Sequence, residues 1–179
     1  IYILGTGRSG STFLGNILSL HPDICYLNEP KALWHSVYPN EDVIGNFTNE
    51  NAAFLLDDKV ATQNVISRAH KLYAYALTIT KSNRILDKHG EIIFRVSFIK
   101  KIFPDAKFIF LARNGMDTVS SVAKWSKVHG VVSETNSNDW WGADRRKWNL
   151  LVEEVVKEDD VLGRNALEIL QFNNQLDMA

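Results

Sequence analysis

Ile3-Leu4-Gly5-Thr6-Gly7-Arg8-Ser9-Gly10-Ser11-Thr12-Phe13-Leu14 begins in an apolar run, passes through a glycine-rich turn, and continues with helical spacing through residues 15–20. Small residues in such a turn let the backbone close around an oxyanion, and the unpaired amides that open the following helix add about half a positive charge. The stretch therefore predicts a strand–loop–helix cradle for phosphate or sulfate. Two loop patterns overlap in it: Gly5 to Gly10 satisfies GxGxxG, and Gly5 to Thr12 satisfies GxxxxGK[ST] except that Ser11 replaces the lysine. That lysine reaches the outer phosphates of a nucleoside triphosphate, so its replacement argues against ordinary ATP or GTP hydrolysis. Arg8 is left as the cation of the loop, and a guanidinium grips two oxyanion oxygens at once without a metal.

The 179 residues, 45% of them apolar, are enough for one domain, 1–179, with a sizeable core. A formal net charge of −1 gives no general attraction to nucleic acid or to an anionic membrane. The single cysteine, Cys25, lies in the apolar run 24–27, where it is expected to be a buried strand residue. No apolar stretch approaches the roughly 18 residues of a membrane span. The chain opens inside a strand without a methionine, and neither compartment nor oligomeric state is legible.

The periodicities predict strands at 1–5, 24–28, 84–87 and 107–112. Helices are predicted at 11–20, 61–80, 93–103 and 115–128, with a polar loop carrying aromatics up to about residue 50. Two polar-faced helices are expected near 138–157 and 160–173, and the Asn/Gly/Ser-rich stretch 129–139 as a mobile loop. Strands alternating with helices imply an α/β fold, a three-layer P-loop-like domain with a central parallel sheet flanked by helices. His21-Pro22-Asp23 ends the first helix, with His21 as its cap. The next strand then delivers Glu29 at its carboxyl end, on the side where open α/β sheets bind ligands. Glu29 admits two readings there: an acid beside the anion loop, or the ribose-binding acid of a nicotinamide or flavin dinucleotide fold.

A second constellation follows the strand at 107–112. Arg113 emerges at its carboxyl end, and Ser121 lies about two turns along the next helix. This is either a further phosphate site or a local pairing of Arg113 with Asp117.

Arg8-Ser9-Gly10-Ser11-Thr12-Phe13-Leu14, His21-Pro22-Asp23 and Tyr26-Leu27-Asn28-Glu29-Pro30 together resemble the 5′-phosphosulfate block of sulfotransferases that use 3′-phosphoadenosine-5′-phosphosulfate (PAPS). The wording is that of the Golgi carbohydrate and tyrosylprotein branches and their bacterial relatives. The run 103–109, with Arg113 and Ser121 beyond it, resembles the family's 3′-phosphate site. The resemblance implies that Gly7, Arg8, Ser9, Gly10, Ser11, Thr12 and Phe13 hold the 5′-phosphosulfate, and Arg113 and Ser121 the 3′-phosphate. It makes Glu29 the base for the acceptor hydroxyl and sets Lys88 and Arg8 around the leaving phosphate. His89 departs from the Lys-Thr-Pro or Lys-Asp-Pro pattern of glutamate-base relatives. Cytosolic phenol and steroid sulfotransferases carry a catalytic histidine in a comparable segment, which makes His89 the alternative base.

The implied donor is PAPS, the product 3′,5′-adenosine bisphosphate (PAP), and no metal is needed. The acceptor is a small-molecule or glycan hydroxyl, carbohydrate favoured, with Trp34, Tyr38, Phe47 and Phe54 divided between the acceptor pocket and the core. The compartment is the cytoplasm for a bacterial protein, or the Golgi lumen if an anchor precedes this segment. An NAD(P)- or FAD-dependent Rossmann oxidoreductase and a noncatalytic nucleotide-binding module are the competing readings.

Overall fold

Four short parallel strands, β1 (Tyr2–Gly5), β2 (Ile24–Asn28), β3 (Arg84–Lys88) and β4 (Phe108–Leu111), lie in the spatial order β2-β3-β1-β4. They belong to a computed structural model that describes residues 1–47, 51–129, 145–151 and 153–154. The helices are α1 (Ser11–Leu18), α2 (Lys31–Val37), α3 (Gln63–Thr80), α4 (Val96–Ile102), α5 (Gly115–His129) and α6 (Arg145–Leu151). Contacts group the chain into two compact units, Ile1–Ala112 and Arg113–Ala179. The first holds the whole sheet with α1 to α4; the described part of the second contains α5 and α6.

β1 is buried along its whole length because it lies between β3 and β4 with both faces covered, which explains its unbroken apolar run. Alternation divides its side chains. Tyr2 and Leu4 join Trp34 of α2, Val65, Ala69 and Tyr73 of α3, and Phe98, Ile99 and Ile102 of α4 in one core cluster. In α3 the buried residues Val65, Ala69, Tyr73 and Ala76 recur every three or four positions, so one stripe faces the sheet. The opposite face takes α1, whose Gly15 lies against Tyr26 of β2. A three-layer arrangement results, and Cys25 is buried in β2 as expected.

The sequence-predicted polar loop up to about residue 50 requires correction, since Lys31–Val37 is helical and Pro39–Glu41 forms a 3-10 turn. Seven residues hold barely two helical turns, too few for periodicity to stand out, yet Trp34 and Val37 fall one turn apart and are both buried. The helix predicted at 93–103 is preceded by a 3-10 segment, Gly90–Phe94, and regular only over Val96–Ile102. α1 ends at Leu18, short of the predicted residue 20, and its C-cap is Ser19 rather than His21, which lies beyond it, donating its N–H to the Leu18 carbonyl and accepting the Asp23 N–H on Nδ1. α6 falls within the helix predicted at 138–157. Of the loop predicted at 129–139, His129 is instead the last residue of α5, and the remainder, like the predicted helix at 160–173, lies outside the described residues. Among the described residues no helix is long and apolar enough to cross a membrane.

The α1–β2 contact yields a stability prediction. A Cβ at Gly15 would stand 2.2 Å from the Tyr26 hydroxyl oxygen and 2.3 Å from its ring. Gly15→Ala should therefore cost about 1–3 kcal/mol in urea unfolding despite alanine's better helix propensity. Recovery of most of that loss in Gly15→Ala/Tyr26→Leu would identify the clash as the cause, whereas a stabilised Gly15→Ala would contradict it.

Candidate active site

The loop after β1 turns tightly, with the Ser9 N–H donating to the Thr6 carbonyl at 3.2 Å and Arg8 at a left-handed φ of 64°. Gly10, at φ 96°, forms the N-cap of α1, and its carbonyl accepts the Leu14 N–H at 3.0 Å. A side chain is rarely tolerated at that φ, which accounts for glycine here. Among the described residues no side chain caps the start of α1, which leaves the amides of its first turn to an external acceptor. The Ser9 hydroxyl oxygen is buried without a hydrogen-bond partner among the described residues. A buried hydroxyl left in this state costs free energy that an oxyanion in the cradle would recover. Arg8, Thr12 and Phe13 are exposed around it, and Gly7 and Ser11 are partly so.

Beside this loop the sheet brings together two residues that are 59 positions apart in the chain. Asn28 stands level with Lys88 in the β2–β3 ladder, and the next N–H, that of Glu29, donates to the Lys88 carbonyl at 2.7 Å. Glu29 then turns the chain out of the sheet at a left-handed φ of 51°, its carbonyl accepting the Lys31 N–H at 2.7 Å. Its Oε1 lies 2.7 Å from Lys88 Nζ and its Oε2 4.0 Å from Lys31 Nζ. The Lys88 side chain is 8% exposed and that of Glu29 47%, so the cation is enclosed while the carboxylate opens to solvent. Partial burial pushes the Glu29 carboxyl upward. The hydrogen bond and charge of Lys88, with the charge of Lys31, outweigh that effect and hold it below the ordinary glutamate value.

His89 is placed differently. It is 3% exposed, with Nε2 2.8 Å from Glu91 Oε2, and Glu91 is equally enclosed. Nearby, Arg95 Nη1 meets Glu41 Oε2 at 2.7 Å, and Nη2 donates to the Glu41 carbonyl at 3.1 Å. The carboxylate before Lys88, Asp87, is fully buried, and its Oδ2 accepts Trp34 Nε1–H at 3.0 Å and the Tyr73 hydroxyl. Burial raises the Asp87 carboxyl above its ordinary value, against the Tyr73 hydrogen bond, the His89 charge and the Trp34 hydrogen bond.

Of the four aromatics divided between acceptor pocket and core, Trp34 and Phe54 are core residues and Tyr38 is partly buried. Phe47 is 48% exposed and stacks on His35 with ring centroids 5.0 Å apart. On the second unit, Arg113 precedes α5 and is exposed, while Ser121 lies within the helix and is partly buried. Asn114 opens α5, its Oδ1 accepting the Met116 N–H at 2.9 Å and its carbonyl the Thr118 N–H at 3.0 Å.

Sequence reasoning singled out the loop, Glu29, Lys88 and His89 but missed Lys31 and Asp87. The signal for Asp87 was present in Asp87-Lys88-His89, three ionisable residues in a row at the end of a strand. Strand alternation turns Asp87 and His89 to one face and Lys88 to the other. Among the described residues no group of three or more His, Cys, Asp and Glu side chains is arranged to hold a metal ion.

Similarity to known proteins identifies the family. A family model described as the sulfotransferase family matches residues 1–172. The protein-tyrosine sulfotransferase of Drosophila melanogaster is 26% identical over 183 residues, covering 96% of this chain and 34% of its own length. Protein-tyrosine sulfotransferase A of Caenorhabditis elegans is 23% identical over 181 residues, covering 94% of this chain and 44% of its own. Mouse carbohydrate sulfotransferase 7 is 48% identical over 42 residues, 23% of this chain and 9% of that protein. The chain thus spans less than half the length of these relatives. With its parallel sheet, its glycine-rich loop and a family match over almost its whole length, the chain belongs to the sulfotransferase family.

Proposed function

We propose that this chain transfers a sulfuryl group from PAPS to an acceptor hydroxyl, with Glu29 as general base and PAP as product. The observation that carries the reading is the Glu29–Lys88 pair, an accessible carboxylate held 2.7 Å from an enclosed ammonium beside an anion-binding loop. The donor supplies an activated sulfuryl group on a phosphate leaving group. The loop's chemistry fits that donor, since among the described residues the buried Ser9 hydroxyl meets no hydrogen-bond partner and the first turn of α1 has no side-chain cap. In this reading Gly7 to Phe13 bind the 5′ end, and Arg113 with Ser121 the 3′-phosphate.

Glu29 takes the acceptor proton as the hydroxyl oxygen bonds to sulfur, so no free alkoxide forms. Lys88 and Arg8 offset the negative charge that grows on the phosphate as its bond to sulfur breaks. The carboxylate is ionised at neutral pH, as an ordinary glutamate is, and Lys88 and Lys31 favour its charged form further. His89 suits the base role less well, because its ring is enclosed and occupied by Glu91. Family membership sets aside the dinucleotide oxidoreductase, and a noncatalytic module would bind PAP without turnover.

Two acceptor classes each have one observation in their favour. The carbohydrate reading rests on the short match at 48% identity, and a tyrosyl hydroxyl on matches along nearly the whole chain. A panel of sugars and tyrosine-containing peptides with labelled PAPS decides between them, and absence of transfer to every hydroxyl would refute the enzymatic reading.

Glu29→Gln should lower kcat by about 100-fold or more while leaving PAP affinity nearly unchanged in calorimetry; a fully active variant would move the base role to His89. Arg113→Ala should weaken PAP at least about tenfold more than adenosine 5′-monophosphate, the charge-assisted contact being specific to the 3′-phosphate. Equal losses would contradict that assignment.

The pH dependence has a defined sign. A lowered Glu29 value places the acid limb of kcat/KM below the ordinary glutamate value of about 4.3. In Lys88→Ala, burial acts without its main opponent, so the limb should move to higher pH as the rate falls. The stabilisation from the Glu29–Lys88 pair is likewise present above the ordinary value and lost as pH falls through the lowered one. An acid limb that stays in place in Lys88→Ala would show that another group titrates.

A further inference from the structure

The helix that follows Glu29 is tied to the strand that carries Lys88 by one buried hydrogen bond. α2 starts at Lys31, and its Trp34 donates Nε1–H to Asp87 Oδ2 at 3.0 Å. Asp87 immediately precedes Lys88 and stands level with Leu27, so the bond closes a short loop on the β2–β3 ladder. One end of that loop is held by the Glu29 N–H on the Lys88 carbonyl and the other by Trp34 on Asp87. Between them Glu29 is kept at φ 51°, a left-handed conformation that is unfavourable for a residue with a Cβ. Without the far tie, the chain would be free to relax toward extended geometry and redirect the carboxylate.

Core packing alone does not account for Asp87. Trp34 already packs between Tyr73 and Phe98, at centroid distances of 5.7 and 6.1 Å. A fully buried carboxylate is a costly partner for an indole, and its Oδ1 has no hydrogen-bond partner among the described residues. An apolar residue of similar volume would serve stability as well or better. What a carboxylate provides is a fixed point: one oxygen receives α2 through Trp34 and α3 through Tyr73, one residue before the lysine.

We infer that Trp34 and Asp87 are positioning residues that hold the Glu29 carboxylate on the Lys88 ammonium by closing the Glu29–Trp34 turn onto β3. The inference rests on the reading of Glu29 as base for its catalytic meaning, while the tie and the ion pair involve this chain alone. Around Glu29 the charged and titratable groups are Lys88 on β3, Lys31 on α2, Tyr26 on β2 and Glu91 in the 3-10 segment after β3. Lys88 supplies the dominant force lowering the Glu29 carboxyl, so displacement of Glu29 from Lys88 raises its titration point.

Trp34→Phe removes the N–H while keeping an aromatic ring in the core. Glu29 is titrated by carbon NMR of its carboxyl in the donor-free protein, the resonance assigned by its loss in Glu29→Gln. The Glu29 midpoint should rise by about half a unit or more in Trp34→Phe, with kcat down about tenfold and PAP affinity within about twofold. Asp87→Leu, which removes the acceptor while keeping a buried side chain of similar shape, should move the midpoint in the same direction and carries the test should Trp34→Phe fail to fold. Val65→Ala, which opens the same core from α3, should lower thermal stability and leave the Glu29 midpoint in place. An unchanged midpoint in the folded tie variants, or an equal displacement in Val65→Ala, would overturn the inference. If the wild-type chain transfers no sulfuryl group, the base assignment falls and the NMR midpoint still decides the tie.

Discussion

The site depends on where the chain leaves the sheet at Glu29. In a parallel ladder the residues at the carboxyl ends of neighbouring strands stand level, which sets Asn28 opposite Lys88 and lets the Glu29 N–H reach the Lys88 carbonyl. A residue that continued the strand would carry its side chain away. The left-handed turn at Glu29 instead folds the carboxylate back on the Lys88 side chain. Two of the three described non-glycine residues with positive φ, Arg8 and Glu29, belong to the proposed site; the third, Lys81, ends α3. Backbone strain thus occurs at the two turns where side chains are needed at a strand's carboxyl end.

Charge inside the first unit is distributed by strand alternation. Asp87 turns into the helical core, Lys88 reaches Glu29, and His89 enters a buried pair with Glu91. Arg95 and Glu41 form a second buried pair, which joins the residue before α4 to the 3-10 turn after α2. Such pairs add little net stability, because desolvation consumes most of their attraction, but leaving either member alone is strongly unfavourable. The Arg95–Glu41 pair therefore specifies that the residue before α4 meets the 3-10 turn Pro39–Glu41, whereas His89–Glu91 is local to the start of the 3-10 segment Gly90–Phe94.

The glycine-rich loop was legible in the sequence because its spacing, the preceding apolar run and the following helix are all local signals. So was the parallel sheet, since strands alternating with helices leave few other arrangements. α2 was missed because a seven-residue helix carries too little periodicity. The Glu29–Lys88 contact spans 59 residues, and no local pattern encodes it. The enclosure of His89 was equally hidden: a strand covered on both faces gives no sign of which residues meet a partner, and Glu91 lies beyond the strand's end. Lys31 became visible only once Pro30 was seen to start a helix that turns it back toward Glu29.

Family membership supplies the chemistry, while the geometry of the first unit supplies a reason for the roles given to Glu29 and Lys88. In the proposed reaction the loop after β1 and the Glu29–Lys88 pair form one reacting centre. A crystal structure of the chain with 3′,5′-adenosine bisphosphate tests this most directly. The 5′-phosphate is expected on the amides of residues 9–12, with Lys88 within hydrogen-bond reach and the Glu29 carboxylate facing the same cleft. A 5′-phosphate bound away from that loop, or a Glu29 carboxylate turned away from it, would contradict the account.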